Sequence, residues 1–118
     1  MNNKFDAIIV GVGHDGIEAV FALAKNGFEV SLISLNKKWL AMLPCNPSIG
    51  DLAKGIITRE IDALGGIQGY FVDKAMIQIK MLNTSKEPPF RALRAQIYKD
   101  KYSQIILEEI EKNKIIKQ

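Results

Sequence analysis

The feature that most constrains the fold is a glycine-rich loop between an apolar run and a helical pattern. Residues 5–10 read Phe-Asp-Ala-Ile-Ile-Val, which is typical of a short buried parallel strand. Apolar residues after the loop recur at steps of three and four and predict a helix that ends at Gly27. A second strand is expected over residues 28–34. The spacing therefore predicts a βαβ unit, with Ile17, Val20, Phe21 and Ala24 on the buried helix face.

Such a loop is suited to holding a dinucleotide pyrophosphate at a helix N-terminus. Gly11 would permit the tight turn, Gly13 the approach of the phosphates, and Gly16 close packing of helix and strand. A turn that binds nothing is the alternative. Asp15 suits the helix dipole but repels a phosphate at the same place. We predict an α/β, Rossmann-like fold with a parallel sheet and this pyrophosphate loop: Gly11, Val12, Gly13, His14, Asp15 and Gly16.

The second predicted strand lacks the acidic residue that often binds a ribose hydroxyl in this fold. Ser34 and Asn36 stand near that position instead. Both can form hydrogen bonds, but neither has the strength of a carboxylate as an acceptor. The lack of a carboxylate at this position counts against a working nucleotide site.

Length and composition restrict the class of protein. The chain has 118 residues, 47% hydrophobic and 25% charged, as expected of one soluble domain. Its apolar runs are shorter than the roughly twenty residues that span a bilayer, and the N-terminus lacks the apolar core of a signal peptide. We therefore expect a cytoplasmic protein with no membrane segment. The net charge of +3 is mild and does not by itself indicate nucleic-acid binding.

The middle of the chain has a proline-flanked loop around its single cysteine, Cys45. The residues alone allow a reactive thiol but favour a buried, inert one, because no histidine or cationic cluster adjoins it in sequence. Asp51 can cap a following helix that ends at Gly65-Gly66. Residues 77–81 alternate as a strand, and residues 91–112 predict one long helix. The predicted core faces of the two helices are Ala53, Ile57, Ile61 and Leu64, and Tyr98, Tyr102, Ile105 and Ile106.

Taken in chain order, these motifs resemble the N-terminal region of the MnmG family of proteins, also called GidA. The resemblance covers nearly the whole chain and about the opening fifth of a full-length family member. Besides the glycine loop it rests on Cys45-Asn46-Pro47-Ser48-Ile49-Gly50, Lys54-Gly55, Arg59-Glu60-Ile61-Asp62-Ala63-Leu64-Gly65-Gly66, Leu82-Asn83-Thr84-Ser85-Lys86 and Arg94-Ala95-Gln96.

The resemblance implies a flavoprotein that binds FAD, takes hydride from NADH and works with the GTPase MnmE to modify transfer RNA. It implies that a methylene group from methylenetetrahydrofolate reaches C5 of the wobble uridine, giving aminomethyl or carboxymethylaminomethyl products. By the motif match, the loop from Gly11 to Gly16 holds the FAD pyrophosphate and Cys45 is the catalytic thiol. A thiolate there could add to C6 of uracil and make C5 nucleophilic.

Three acidic residues depart from the family pattern. Asp51 and Glu87 replace glycines, and Asp15 replaces the alanine of the glycine loop. Each adds a negative charge in a motif region, and the first two would strain the backbone if those glycines take positive φ. These changes suggest a relaxed constraint on flavin binding.

Residues 114–118 read as the start of a further strand, so the parallel sheet is expected to be truncated. An exposed sheet edge invites instability or association, including homo-oligomerisation. We interpret residues 1–118 as the N-terminal part of an FAD-binding Rossmann-like domain that is inactive alone. The alternatives are a decayed or non-catalytic nucleotide-fold binding module, and another FAD-dependent oxidoreductase.

Overall fold

The computed structural model describes residues 4–43, 48–50 and 52–118. The described chain divides into two compact units. One contains the residues up to Met42 together with Ser103–Gln118, and the other contains Leu43–Tyr102. Each unit has its own sheet.

The first unit is built on a parallel sheet. Strand β1 (Ala7–Val10) leads through the glycine loop into helix α1 (His14–Lys25), and strand β2 (Val30–Ile33) follows. Within the described residues β2 lies between β1 and strand β6 (Ile116–Lys117), and both pairings are parallel. The predicted βαβ unit and parallel sheet are confirmed, as is the strand at the end of the chain.

Among the described residues, a helix covers one face of this parallel sheet, and the apolar side chains on the other face are exposed. Helix α1 contacts both β1 and β2, and it buries Ile17, Val20 and Ala24 as predicted, while Phe21 is half-buried. The opposite face carries Val10, which is 79% exposed, beside Ile33 in the register of the two strands. The apolar residues of β1 therefore do not all enter a core in this unit.

The second unit contains an antiparallel sheet and two helices. Strand β5 (Ala92–Ile97) lies between strands β3 (Ser48–Ile49) and β4 (Met76–Leu82). Helices α2 (Leu52–Ala63) and α3 (Gln68–Ala75) contact each other and β5. The strand predicted over residues 77–81 is confirmed, whereas α3 and the partners of β4 were not predicted. Asp51, the predicted cap of α2, lies outside the described residues.

The prediction of one helix over residues 91–112 is wrong in its first third. Residues 92–97 form β5, and helix α4 begins only at Lys99 and ends at Lys112. Ala, Leu, Arg and Gln favour helix by intrinsic propensity, but β5 gains two strand partners, and this pairing outweighs the local preference. Tyr98 consequently precedes the helix and is exposed, while Tyr102 and Ile106 are buried as expected and Ile105 is half-buried.

The predicted apolar face of α2 is also largely wrong. Leu64 is 90% exposed and Ile57 is 56% exposed, while Ile61 is half-buried. Periodicity correctly predicted a helix, but it cannot show whether another element covers the apolar stripe. The helix does end as predicted, because Gly65 takes φ +86° and donates its N–H to Asp62 O at 2.9 Å.

Candidate functional site

The glycine loop makes a tight turn at the carboxyl end of β1. Gly11 takes φ +109°, a left-handed conformation that favours glycine, and its N–H donates to Ile33 O at 2.9 Å. That hydrogen bond ties the turn to the end of the neighbouring strand. The predicted role of Gly11 in turning the chain is therefore confirmed.

Gly16 allows α1 to approach the turn closely. A β-carbon added at this position would collide with the carbonyl oxygen of Gly11 and lie 3.2 Å from its carbonyl carbon. It would also lie 3.7 Å from Cγ2 of Ile9, so the contact includes the strand. Only glycine fits here without displacing the main chain, which confirms the predicted packing role.

Helix α1 presents main-chain donors beside this turn. Gly13 is the N-cap residue, and the first hydrogen bond within the helix runs from Ile17 N–H to Gly13 O at 3.0 Å. The amides of Asp15 and Gly16 precede that bond and project from the positive end of the helix. Donors in this arrangement can bind phosphate oxygens.

Asp15 places a negative charge over the same loop. A β-carbon at Gly13 would lie 2.8 Å from Oδ1 of Asp15, so the carboxylate folds back toward the N-cap residue. The side chain lies in the first turn of α1, as expected, and is exposed. Its charge opposes any phosphate that approaches the amides, although solvent reduces the repulsion.

A cavity of about 190 Å³ lies at the carboxyl ends of β1 and β2. Its walls are mainly apolar, and Lys37 adds a cationic side chain. The segment that carries Lys37 is tied to the glycine loop, because Ala41 donates its N–H to Val12 O at 2.7 Å. The carboxyl ends of parallel strands are the usual ligand position in open α/β sheets. The lining residues are Val12, Leu32, Ile33, Ser34, Lys37, Leu40 and Gln118.

Ser34 directly follows β2, near the position where this fold often carries an acidic ribose ligand. Its hydroxyl donates to Asn36 O at 2.9 Å and accepts from Asn36 N–H at 3.1 Å. The side chain of Asn36 in turn accepts from Lys38 N–H at 2.9 Å. Both polar side chains therefore stabilise their own turn, and only Ser34 lines the cavity.

The structure brings part of the predicted site together. The six loop residues surround one turn, and Val12 also lines the cavity. His14 is the first residue of α1 and is half-buried. Cys45 lies outside the described residues. Lys37 was missed because one lysine in a polar stretch has no motif, although its position just after β2 could have indicated it.

Two negative findings concern the described residues alone. In that part of the chain, no helix is both long enough and apolar enough to cross a bilayer. The same residues contain no cluster of histidine, cysteine and carboxylate side chains suited to a metal ion.

Comparison with known proteins identifies relatives over nearly the whole chain. The family model described as "Glucose inhibited division protein A" matches residues 6–117. A tRNA uridine 5-carboxymethylaminomethyl modification enzyme MnmG from Metamycoplasma arthritidis is 70% identical over 112 residues, which are 95% of this chain and 18% of the relative. The enzyme of that name from Streptococcus thermophilus is 52% identical over 111 residues, covering 94% and 18% of the respective chains.

A solved structure shows the same fold. GidA of Aquifex aeolicus, in its form II crystal, superposes with a TM-score of 0.89 at 41% sequence identity. The match covers 98% of this chain and 19% of that protein. The chain thus spans about a fifth of the length of the relatives that it matches.

Proposed function

The chain belongs to the glucose inhibited division protein A family, and from that premise we propose that it is the FAD-binding N-terminal part of a tRNA wobble-uridine modification enzyme. Residues 1–118 would form the first part of a Rossmann-like domain. The reaction proposed for the whole enzyme adds an aminomethyl or carboxymethylaminomethyl group at C5 of the uridine. This part would supply cofactor binding rather than the complete reaction.

The observation that carries the proposal is the turn at Gly11 and Gly16 beside the cavity at the ends of β1 and β2. Main-chain amides at the start of α1 would bind the pyrophosphate, and the mainly apolar cavity would take the adenosine end. Lys37 would add a favourable charge. Because a volume of about 190 Å³ is small for a whole dinucleotide, only part of FAD is expected to enter it.

The residues at this site fit FAD, except that one carboxylate repels its phosphates. The glycine turn and the amides match the phosphates in shape and polarity, whereas Asp15 contributes repulsion. Flavin, when bound, supplies hydride transfer. We further propose Cys45 as the nucleophile toward C6 of uracil, a role that rests on the motif resemblance.

The remaining components of the proposed reaction follow from the same resemblance. In the whole enzyme, NADH would provide hydride and methylenetetrahydrofolate would provide the methylene group. The GTPase MnmE would be the partner protein. A cytoplasmic location is proposed because transfer RNA would be the substrate. Homo-oligomerisation is proposed through the outer edge of β1, which pairs with no strand of the described residues and where backbone groups can pair with another chain.

Flavin titration of the purified chain tests cofactor binding. FAD should bind saturably, ADP should compete for the same site, and riboflavin should not bind, because the described contacts suit adenosine and pyrophosphate. Quenching of flavin fluorescence measures the binding. A failure of FAD to bind, or equal binding of riboflavin, would contradict the proposal.

A second candidate is a nucleotide-fold binding module without catalytic activity. The carboxylate of Asp15 over the loop favours this alternative, because it weakens phosphate binding. ADP binding with no preference for FAD over NAD would support the module. A clear preference for FAD would support the flavoprotein function.

A further inference from the structure

The antiparallel sheet of the second unit has a polar face that the proposed cofactor site does not use. A cavity of about 290 Å³ lies on this face. Its side chains come from all three strands. Those of β4 and β5 stand at every second position, and the one residue from β3 pairs with a lining residue of β5, so all of them project to one side of the sheet. The lining residues are Ser48, Gln78, Lys80, Leu82, Arg94 and Gln96.

Two cations stand opposite each other at the centre of this face. Lys80 pairs with Arg94 in the register of β4 and β5. Like charges at directly opposed positions destabilise a sheet. Within the described part of the chain, neither side chain forms an ion pair with a carboxylate. The cavity therefore has a local positive charge that an anion would neutralise.

Arg94 is held in position by a hydroxyl group. Its Nε–H donates to Oγ of Ser48 at 3.1 Å, in a contact that is partly buried. This bond uses one of the five guanidinium N–H donors and leaves the terminal NH₂ groups for a ligand. A guanidinium oriented in this way is well suited to phosphate oxygens.

The neighbouring rung of the sheet adds uncharged hydrogen-bonding groups. Gln78 and Gln96 face each other across β4 and β5, and Ser48 pairs with Gln96 on the other side. Their amides both donate and accept, so they can contact sugar hydroxyls or base edges. Successive residues on one face of a strand are about 7 Å apart, so these groups lie beside the charged pair rather than on it.

We infer that this face binds a phosphodiester of an RNA strand, with Lys80 and Arg94 on the phosphate and the glutamines on the adjoining nucleotide. The inference rests on the proposed function, since the RNA would be that enzyme's substrate. A cavity of about 290 Å³ is at the lower limit for a complete small ligand, so it suits one unit of a longer strand. Ser48, which lines this cavity, is only three positions after the proposed nucleophile Cys45 in the sequence.

Fluorescence anisotropy with a labelled oligouridine of about eight nucleotides tests the inference on the whole chain without flavin. Lys80→Gln is the main variant, because Lys80 is exposed and its loss leaves no buried group unpaired. Lys101→Gln on α4 is the matched control, because Lys101 is also an exposed lysine and does not line the cavity. Arg94→Lys keeps the charge but removes the bond to Ser48.

We expect Lys80→Gln to weaken RNA binding about fivefold at low salt and to lower the salt slope by about 0.7 to 1. Lys101→Gln should change the affinity less than twofold. Arg94→Lys should weaken binding while the salt slope stays near the wild-type value. Equal effects of Lys80→Gln and Lys101→Gln, or no RNA binding by the wild-type chain at about 50 mM salt, would overturn the inference.

A parallel titration with FAD separates this inference from the proposed cofactor function. If the face binds RNA, Lys80→Gln should leave FAD affinity unchanged, and FAD should not displace the oligouridine. Displacement by FAD, with matching losses of FAD and RNA affinity in Lys80→Gln, would assign the cavity to the cofactor and refute the RNA site. RNA binding without any FAD binding would instead refute the cofactor function alone.

Discussion

Substitution of Gly16 by alanine tests whether close approach of α1 to the glycine turn is required. The substitution adds one methyl group beside the Gly11 carbonyl, which belongs to the main chain and cannot rotate away. Gly55 in α2 provides a matched control. A β-carbon there would lie 3.6 Å from Leu93 O, an ordinary van der Waals distance.

The two substitutions should change the free energy of unfolding in opposite directions. Replacing glycine by alanine inside a helix stabilises it by about 1 kcal/mol, and Gly55→Ala should approach this gain. Overpacking typically costs about 1–3 kcal/mol, so Gly16→Ala should be destabilising by about 0–2 kcal/mol after the same gain. The difference between the variants is then about 1–3 kcal/mol.

Urea unfolding followed by far-ultraviolet circular dichroism measures this difference, and FAD titration measures the effect on the site. Gly16→Ala should also weaken FAD at least about tenfold, because displacement of Gly11 moves the proposed phosphate loop. Gly55→Ala should leave FAD affinity unchanged. Equal stabilisation by both substitutions, with unaltered FAD binding, would refute the reasoning about the turn.

Three further predictions concern single side chains. Asp15→Ala should strengthen FAD binding about fivefold at low salt and less at high salt, because it removes a carboxylate that repels the phosphates. Asp73→Asn should leave FAD affinity unchanged, and equal effects of the two substitutions in flavin titrations would contradict this prediction. Ile106→Ala should lower the free energy of unfolding by about 2–5 kcal/mol and Ile57→Ala by less than about 0.5 kcal/mol, because Ile106 is buried and Ile57 is exposed. Urea denaturation of the two variants measures this difference. The Cys45 thiol should react with iodoacetamide at pH 7 faster than free cysteine; slower alkylation, read by mass spectrometry, would support the inert alternative.

The sequence predicted the first unit well because its signals are local. The turn at Gly11 and the packing at Gly16 each depend on backbone conformation that glycine alone adopts without strain, so residue type and spacing are sufficient evidence. The apolar period of α1 and the short apolar strands on either side agree with one another. This agreement between local signals explains why the βαβ unit and the loop were predictable.

The second unit was harder because its structure depends on pairing between distant segments. Residues 92–97 favour a helix locally, and only the presence of β3 and β4 on both sides makes them a strand. The error concealed the alternation that places Arg94 and Gln96 on one face. Sequence periodicity likewise could not show that Ile57 of α2, and Leu64 directly after the helix, are exposed.

The cavity beside the glycine loop was predicted only in part. Val12 was identified through the motif, while Lys37 and Leu40 reach the cavity because their segment folds back and bonds to Val12. Such a tertiary contact leaves no pattern in the surrounding residues. The role of Cys45 stays a prediction, since that residue lies outside the described part of the chain.

The pairing of β1 with a single described neighbour has a consequence for amide hydrogen exchange. Ala7 and Gly11 donate their N–H groups toward β2, and the donors alternate in direction along a strand, so those of Ile8 and Val10 point to the open edge. Exchange with deuterated water should therefore be fast at Ile8 and Val10 and slow at Ile9. The strand that positions the glycine turn would thus show protection at every second residue.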